Sequence, residues 1–440
     1  MPRPIRRSDR RLLLAVGDTL AAVGAVVLAQ WTWTLTAGAQ FSLPFLTHHA
    51  QWFLAVPLWV TALSATRAPA SRFRLKATAQ GFVQASGVLF GAYLLAFFAL
   101  GVDRLPRLLA IYVLWDAAWL TMAARAILTR MLTQGDFARR VAIVGTGAAV
   151  EAATALLREP AFADAVLVGS PSPNLPDSLD DVTDVVVAGH APLPQATVER
   201  LLHCQAQGID VGTFEHLHEQ ILRRVPVRYV GHEWVLTQLF SSDLTRDRSQ
   251  TLKRLIDIVG ASVLALVGIV PCLIAAVAVL LESGRPVLYS QTRVGRGGRL
   301  FRLTKLRTMR VDAEAAGPQW SPVDDPRITR VGRLLRRTHL DELPNLWAVL
   351  RGDMSLVGPR PERPEFVESL EHDVPLYRSR LTVAPGLTGW AQVKTEYGDS
   401  VDDAVRKLEY DLYYVRHQSI WFDAAILLRT VGRMVGWRGR

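Results

Sequence analysis

Four apolar runs, near residues 12–37, 50–66, 80–101 and 107–128, fill the first third of the chain. Each is roughly long enough to cross a bilayer as a helix, so a four-helix transmembrane bundle is expected there. The charges between the runs orient it. Arg3, Arg6, Arg7, Arg10 and Arg11 precede the first run, and the stretch from Ala39 to Ala50 carries no Lys or Arg. Arg67, Arg72, Arg74 and Lys76 occupy the next loop, while Arg130, Arg139 and Arg140 follow the fourth run. The positive-inside rule then places both ends of the bundle in the cytoplasm. Trp31, Trp33 and Trp52 suit the outer interface. No small-residue cleavage site follows the first run, so a retained helix is expected rather than a signal peptide. Asp18 and Asp116 lie inside apolar runs, and a place facing a neighbouring helix or near an interface is expected for them over a functional role.

A net charge of +10 fits nucleic acid, an anionic membrane surface or a phosphate-rich substrate. Most arginines flank apolar segments or crowd one short region, so no nucleic-acid partner is expected. Cys204 and Cys272 are the only cysteines and lie far apart, which excludes a disulfide framework and a cysteine-based metal site.

The chain changes character at about Arg139. Val141–Val144, Val185–Val187 and Ile209–Val211 read as strands, and helices follow the first at an Ala/Leu-rich stretch to Leu157 and the second at Gln195–Cys204. Strands alternating with helices predict a parallel, Rossmann-like α/β module. Gly145 and Gly147 begin a dinucleotide fingerprint, yet Val150 stands at its third glycine position and no acid clearly ends a second strand. A structural or regulatory module is the better reading.

Leu255 to Leu281 is apolar apart from Asp257 and is interrupted by Pro271. Eight basic residues follow it without an intervening acid: Arg285, Arg293, Arg296, Arg299, Arg302, Lys305, Arg307 and Arg310. Carrying that block across the bilayer opposes the positive-inside rule. A helix that enters the cytoplasmic leaflet, bends at Pro271 and returns is therefore expected, against the alternative of a fifth span. Ile420–Trp437 mixes apolar residues with Asp423, Arg429 and Arg433 and suits a helix lying in the interface.

Two adjacent carboxylates, Asp341 and Glu342, stand three and two residues before Pro344. Proline is tolerated in a first helical turn, so Asp341 is expected as a cap whose helix end favours the ionised form. An ionised aspartate near arginines serves as a nucleophile towards phosphorus or as a magnesium ligand. Lys305, Arg307 and the run Gly358-Pro359-Arg360-Pro361-Glu362 supply cations on a restricted backbone. A diphosphate under attack needs such cations close by.

From about Lys253 onward the chain resembles the bacterial sugar transferases, the monotopic phosphoglycosyl transferases. The resemblance rests on Lys253-Arg254-Leu255-Ile256-Asp257, Gln291-Thr292-Arg293-Val294-Gly295, Lys305-Leu306-Arg307-Thr308-Met309 and Asp325-Pro326-Arg327-Ile328-Thr329. It continues through the Asp341-Glu342 block, Gly352 to Pro361, and Pro385-Gly386-Leu387-Thr388-Gly389-Trp390. The bundle and middle module resemble the large form, the undecaprenyl-phosphate hexose-1-phosphate transferases. The resemblance implies a magnesium-dependent exchange in two steps. Asp341 takes the phosphosugar from a UDP-sugar, releasing UMP, and the phosphate of undecaprenyl phosphate then takes it from Asp341. It implies Asp341 and Glu342 as magnesium ligands, with Lys305, Arg307, Arg360 and Glu362 at the phosphates and nucleotide. Pro271 would kink the membrane helix. Asn345 departs from the family, which usually has Gln there.

The expected architecture is a mixed membrane protein. Residues 1–138 form the bundle and 139–245 the Rossmann-like module. Residues 246–440 form an α/β monotopic transferase domain with a re-entrant helix at 253–281. The expected place is the bacterial inner membrane, with the catalytic domain facing the cytoplasm. The sugar is glucose or galactose by likeness to the large form, the product begins an exopolysaccharide, capsule or O-antigen, and a homodimer is left open. A nucleotide-sugar oxidoreductase or dehydratase on the middle module and a non-catalytic membrane scaffold are the rival readings. No Tyr-x-x-x-Lys pair supports the first rival.

Overall fold

The computed structural model describes residues 7–38, 40–48, 50–66, 107–133, 139–159, 165–169, 171–176, 178–179, 181–189, 193–231, 245–313, 325–395 and 400–435, with short pieces at 86–87, 90–91, 93, 234–235 and 237. The chain forms two compact units, Met1–Leu222 and Arg223–Arg440.

The first unit opens with α1 (Arg7–Ala37). The short α2 (Leu43–His48) and α3 (Ala55–Thr66) follow, then α4 (Arg107–Thr133). On α1 the buried residues Ala22, Ala25, Val26 and Ala29 recur three and four apart, and on α4 Leu109, Val113, Ala117 and Thr121 recur every four. Small side chains on such stripes let helices approach closely. Asp18 accepts two 2.8 Å hydrogen bonds from Arg125, so it faces a neighbouring helix as expected. The opposite faces remain apolar and open, with Leu20 at 67 % and Trp115 at 65 % exposure. Leu12–Ala37 and Leu108–Leu128 are long and apolar enough to span a membrane. The expected second span is shorter: Ala50–Leu54 is a 3₁₀ turn and the α-helix begins only at Ala55, with Pro57 in its first turn. The run expected at 80–101 lies outside the described residues, except for helical pieces at Ser86, Gly87, Phe90, Gly91 and Tyr93.

In the same unit, β1 (Arg139–Gly145) is followed by α5 (Ala148–Arg158), β2 (Ala165–Leu167) and β3 (Asp184–Ala188). Then come α6 (Gln195–Gln207), β4 (Asp210–Thr213) and α7 (Phe214–Leu222). The strands form one parallel sheet in the order β2-β1-β3-β4. The expected parallel α/β sheet is present, and β2 is an element that the sequence did not reveal. Gly145 has φ 144°, and a Cβ there would lie 1.8 Å from the Ala188 carbonyl oxygen. That glycine is required by close approach of neighbouring strands, independently of any nucleotide.

The second unit is organised on α8 (Thr245–Ser283), a helix of 39 residues that continues through Pro271. Buried Lys253, Asp257, Ala261, Ala275 and Val279 mark one stripe along it, with Ala265 and Cys272 partly buried between them. The break expected at Pro271 is thus not an interruption of the helix. A hairpin of β5 (Leu288–Val294) and β6 (Leu300–Leu306) comes next, then α9 (Arg330–Thr338), a 3₁₀ turn at Leu340–Asn345 and α10 (Leu346–Arg351). After them come β7 (Ser355–Val357), α11 (Pro364–Asp373), β8 (Gly386–Thr388), α12 (Trp390–Lys394), α13 (Val401–His417) and α14 (Ile420–Val435). β7 and β8 pair in parallel.

Two of the three hydrophobic clusters among the described residues of this unit are large. One joins Ala261 of α8 to Phe301, Leu346, Leu356, Trp390, Tyr414 and Ile426. The other joins Val225 and Val227 to Val367, Leu370, Leu408 and Leu412. Val225 also donates its backbone N–H to the Glu409 backbone carbonyl at 2.9 Å. The segment just after Leu222, read from sequence as part of the middle module, therefore packs within the second unit.

Candidate active site

The site is built where the hairpin, the 3₁₀ turn and the β7–β8 pair meet. His339 ends α9 in the left-handed region at φ 55° and turns the chain into Leu340–Asn345. Leu346 and Val349 anchor the following helix in the core. The turn is already helical at Asp341, so this residue lies within it and caps neither the turn nor α10, contrary to expectation. In a 3₁₀ turn residues three apart share a face, which sets Glu342 beside Asn345.

Lys305 comes from β6, opposite Tyr289. Its Nζ donates to Glu342 Oε1 at 2.6 Å, and Arg360 Nη2 donates to the same oxygen at 2.9 Å. Arg360 is held by its backbone surroundings. Gly358 N–H donates to Thr388 and Gly386 N–H to Pro359, both at 2.9 Å, and Arg380 Nη2 donates to the Arg360 carbonyl at 3.0 Å. A Cβ on Gly386 would lie 2.0 Å from Gly358 N, so these two loops touch backbone to backbone only because both residues are glycine. Arg380 is itself buried and paired with Asp411 at 2.7 Å.

Burial alone would push the Glu342 carboxyl up. The charges and hydrogen bonds of Lys305 and Arg360 more than offset it and hold Glu342 well below the usual carboxylate range. For Asp341 the balance is reversed. Burial pushes it up and Glu342 adds to that, against opposing pulls from Lys305, Arg336 and His339. The ionised form expected from a helix end is therefore less favoured here than in an ordinary aspartate. Asp341 is 7 % exposed, and its carboxylate accepts no hydrogen bond among the described residues.

A pocket is lined by Arg293, Lys305, Glu342, Asn345 and Arg360 together with Leu303, Met354, Pro361, Gly386 and Leu387. Lys305, Glu342 and Arg360 are thus brought together as expected. Glu362 is reached indirectly, 3.7 Å from Arg293. Arg307 is placed otherwise: its Nη2 donates to the Ser283 carbonyl, the Ser283 hydroxyl and the Gly284 carbonyl at 2.7–2.9 Å, at the C-terminal end of α8. Pro271 lies on α8 one turn beyond Gly268, where a Cβ would meet Leu343 of the 3₁₀ turn at 3.1 Å. Arg293 and Asn345 were not assigned to the site from sequence. Arg293 stood in the sequence as one of eight basic residues and within a block of the family resemblance, without a role of its own, and its part in the pocket depends on how β5 pairs.

Among the described residues no group of three or more His, Cys, Asp or Glu side chains could hold a metal. Magnesium does not need one, since it takes one or two carboxylates and completes its shell with water and substrate phosphate. Asp341 and Glu342 fit that pattern. The first has no hydrogen-bond partner among the described residues, and the two cations on the second share a single oxygen.

Comparison with known proteins covers the same part of the chain. Residues 248–436 match the family described as bacterial sugar transferase. The UDP-N-acetylgalactosamine-undecaprenyl-phosphate N-acetylgalactosaminephosphotransferase of Aeromonas hydrophila is 39 % identical over 232 residues, 52 % of this chain and 53 % of that protein. The UDP-glucose:undecaprenyl-phosphate glucose-1-phosphate transferase of Caulobacter vibrioides is 42 % identical over 212 residues, 48 % of this chain and 79 % of that protein. The Escherichia coli protein of the same name is 38 % identical over 248 residues, 54 % and 51 % respectively. The matched region spans about half the length of the Aeromonas and E. coli relatives. With its matched segment holding the whole acid–cation constellation, the chain belongs to the bacterial sugar transferase family.

Proposed function

We propose that this protein moves a hexose-1-phosphate from a UDP-sugar to undecaprenyl phosphate and so begins a surface polysaccharide. The observation that carries the reading is the buried Asp341 carboxylate, without a hydrogen-bond partner among the described residues, beside a Glu342 gripped by Lys305 and Arg360. A carboxylate kept free of hydrogen bonds retains its lone pairs for attack. In the first step an Asp341 oxygen bonds to the β-phosphorus. The bond from that phosphorus to the bridging oxygen breaks, and UMP leaves with the electron pair. In the second step a phosphate oxygen of undecaprenyl phosphate bonds to the same phosphorus and Asp341 recovers its carboxylate. Arg293, Lys305 and Arg360 supply the fixed positive charge that the diphosphate needs, while Arg307 secures the end of α8. Magnesium bound by Asp341 and Glu342 would supply further neutralisation of the phosphate charge. The names of the relatives support this class of substrates and leave glucose, galactose and N-acetylgalactosamine as the sugars to try.

The placement of α8 supports a catalytic unit seated on the cytoplasmic face of the inner membrane. Thirty-nine residues make a helix about 58 Å long, against about 30 Å of bilayer hydrocarbon. Its beginning is tied to the second unit by Lys253 to Val357 and Asp423, its middle by Gly268 against Leu343, and its end by Glu282 to the Val331 N–H. Attachment to one body along its whole length favours a helix that stays on that body's side of the membrane over one that crosses it. Its other face, with Leu266 at 77 % and Leu281 at 82 % exposure, is left for lipid.

Incubation of the protein with labelled UDP-sugars, undecaprenyl phosphate and magnesium tests the reading. UMP release and a polyprenyl-diphosphate sugar are expected from the native chain, with neither product nor a covalent adduct from Asp341→Asn. Substantial turnover by that variant would remove Asp341 as nucleophile.

A further inference from the structure

Asn345 closes the 3₁₀ turn that carries Asp341 and Glu342, and the transfer chemistry leaves its side chain without a task. It is 1 % exposed, yet its amide makes no hydrogen bond among the described residues, and its Oδ1 is wholly enclosed. The usual structural reasons for an asparagine are missing here. Its backbone is right-handed helical, at φ −68° and ψ −16°, so no left-handed turn calls for it. It stands at the start of α10, but its side chain caps no N–H of that helix. A buried amide left unpaired is costly, whereas a leucine of the same branching would fill the position without that cost. The fold alone therefore does not account for the residue.

Its surroundings supply a reason. Asn345 lines the pocket together with Arg293, Lys305, Glu342 and Arg360. Glu342 holds Lys305 and Arg360, while Arg293 donates to Gln291 and to the Pro361 carbonyl at 2.6 and 3.2 Å. Asn345 is thus the polar side chain of this lining that has no protein partner among the described residues. An amide N–H donates to a phosphate oxygen without adding to the charge already gathered there by three cations. Its place three residues after Glu342 and four after Asp341, in one turn, sets it by the phosphorus that Asp341 attacks rather than by the far end of a nucleotide.

We propose that the Asn345 amide is a substrate-binding group, donating from Nδ2 to an oxygen of the distal phosphate of a nucleoside diphosphate sugar. Half a turn about Cβ–Cγ exchanges Nδ2 and Oδ1, so either end of the amide can be presented to the ligand. The inference rests on the reading of this pocket as a nucleotide-sugar site, and the test separates the two.

The test uses the full chain in detergent with magnesium and measures binding by calorimetry, so it requires no turnover. The probes are UDP, which carries the distal phosphate, and UMP, which lacks it. The native chain should bind both. Asn345→Leu should bind UDP about tenfold more weakly and UMP within about twofold of the native chain, given one charge-assisted hydrogen bond lost. Its melting temperature should be equal or higher, because the unpaired buried amide is gone. Asn345→Gln keeps the amide on a side chain one methylene longer and should bind UDP more tightly than Asn345→Leu does. Asn345→Ala does not crowd the turn and should show the same split between UDP and UMP if the leucine fails to fold. Failure of the native chain to bind either nucleotide would remove the reading of the pocket, and the proposal with it. Native binding combined with unchanged UDP affinity in the folded variants, or with an equal loss for UDP and UMP, would overturn the role of Asn345 and leave the pocket reading in place.

Discussion

Burial pushes the Asp341 carboxyl up while Lys305 and Arg360 hold that of Glu342 down, although one peptide bond separates the two residues. The consequence is kinetic. A nucleophile must be deprotonated, so UMP release should fall as pH falls through the Asp341 value, which lies above the ordinary aspartate range of about 3.9. Glu342 stays ionised there and adds no limb of its own. Lys305 is the largest charge opposing the rise of Asp341, so Lys305→Gln should move the acid limb further up as well as slow the reaction. A pH profile of UMP release for both proteins checks this, and an acid limb at or below the ordinary aspartate range would contradict the electrostatics. The acid pair was legible in the sequence because the residues are adjacent. The cap assigned to Asp341 was not, because a 3₁₀ turn before α10 extends the helical backbone back past it. Arg307 and Arg360 look equivalent as letters. Only the fold shows that one closes the end of α8 and the other reaches Glu342.

At the scale of elements, periodicity exposed the parallel strands and the long helices, since their apolar spacing is set by local geometry. It missed β2, whose three residues are too few to show a pattern, and it overstated α3, whose run begins with a 3₁₀ turn. The packing between elements was also hidden. α13 is an example: Glu409 lies 3.2 Å from Arg224, yet burial outweighs that cation and pushes its carboxyl up to about 7. On the same helix, burial pushes Asp411 up to about 6 in spite of Arg380. Between the ordinary carboxylate range and those values the folded chain holds protons that the unfolded chain has released. Stability should therefore decline as pH rises through that window, by up to about 1.4 kcal/mol per pH unit for each group. Glu409→Gln removes one of the two groups and should flatten the decline. Urea unfolding followed at about pH 5 and about pH 8 reads the difference. An unchanged slope in the variant would show that Glu409 does not carry a raised value.

For the whole molecule, family likeness identified the C-terminal half, but it begins at residue 248, later than the packing does. Val225 and Val227 lie in the core of the second unit, and the Arg223 carbonyl accepts from Trp390. A chain starting at Arg223 should therefore unfold at a higher temperature than one starting at Lys253 and should retain more UMP release. Equal stability would show that the earlier segment contributes nothing. The topology of α8 decides more. On the proposed topology, Lys253 and Arg310 are expected on the same side of the membrane, since moving eight basic residues across opposes the orientation bias of Lys and Arg. Single cysteines at Ser249 and at Val311, which is 69 % exposed, can be introduced after Cys204 and Cys272 are replaced by serine. Treated with an impermeant thiol reagent, both should be protected in intact cells and react once the membrane is opened. Reaction at position 311 alone in intact cells would make α8 a true span. The Asp341 turn would then lie outside, separated from cytosolic UDP-sugar, and the proposed transfer would have no donor to act on.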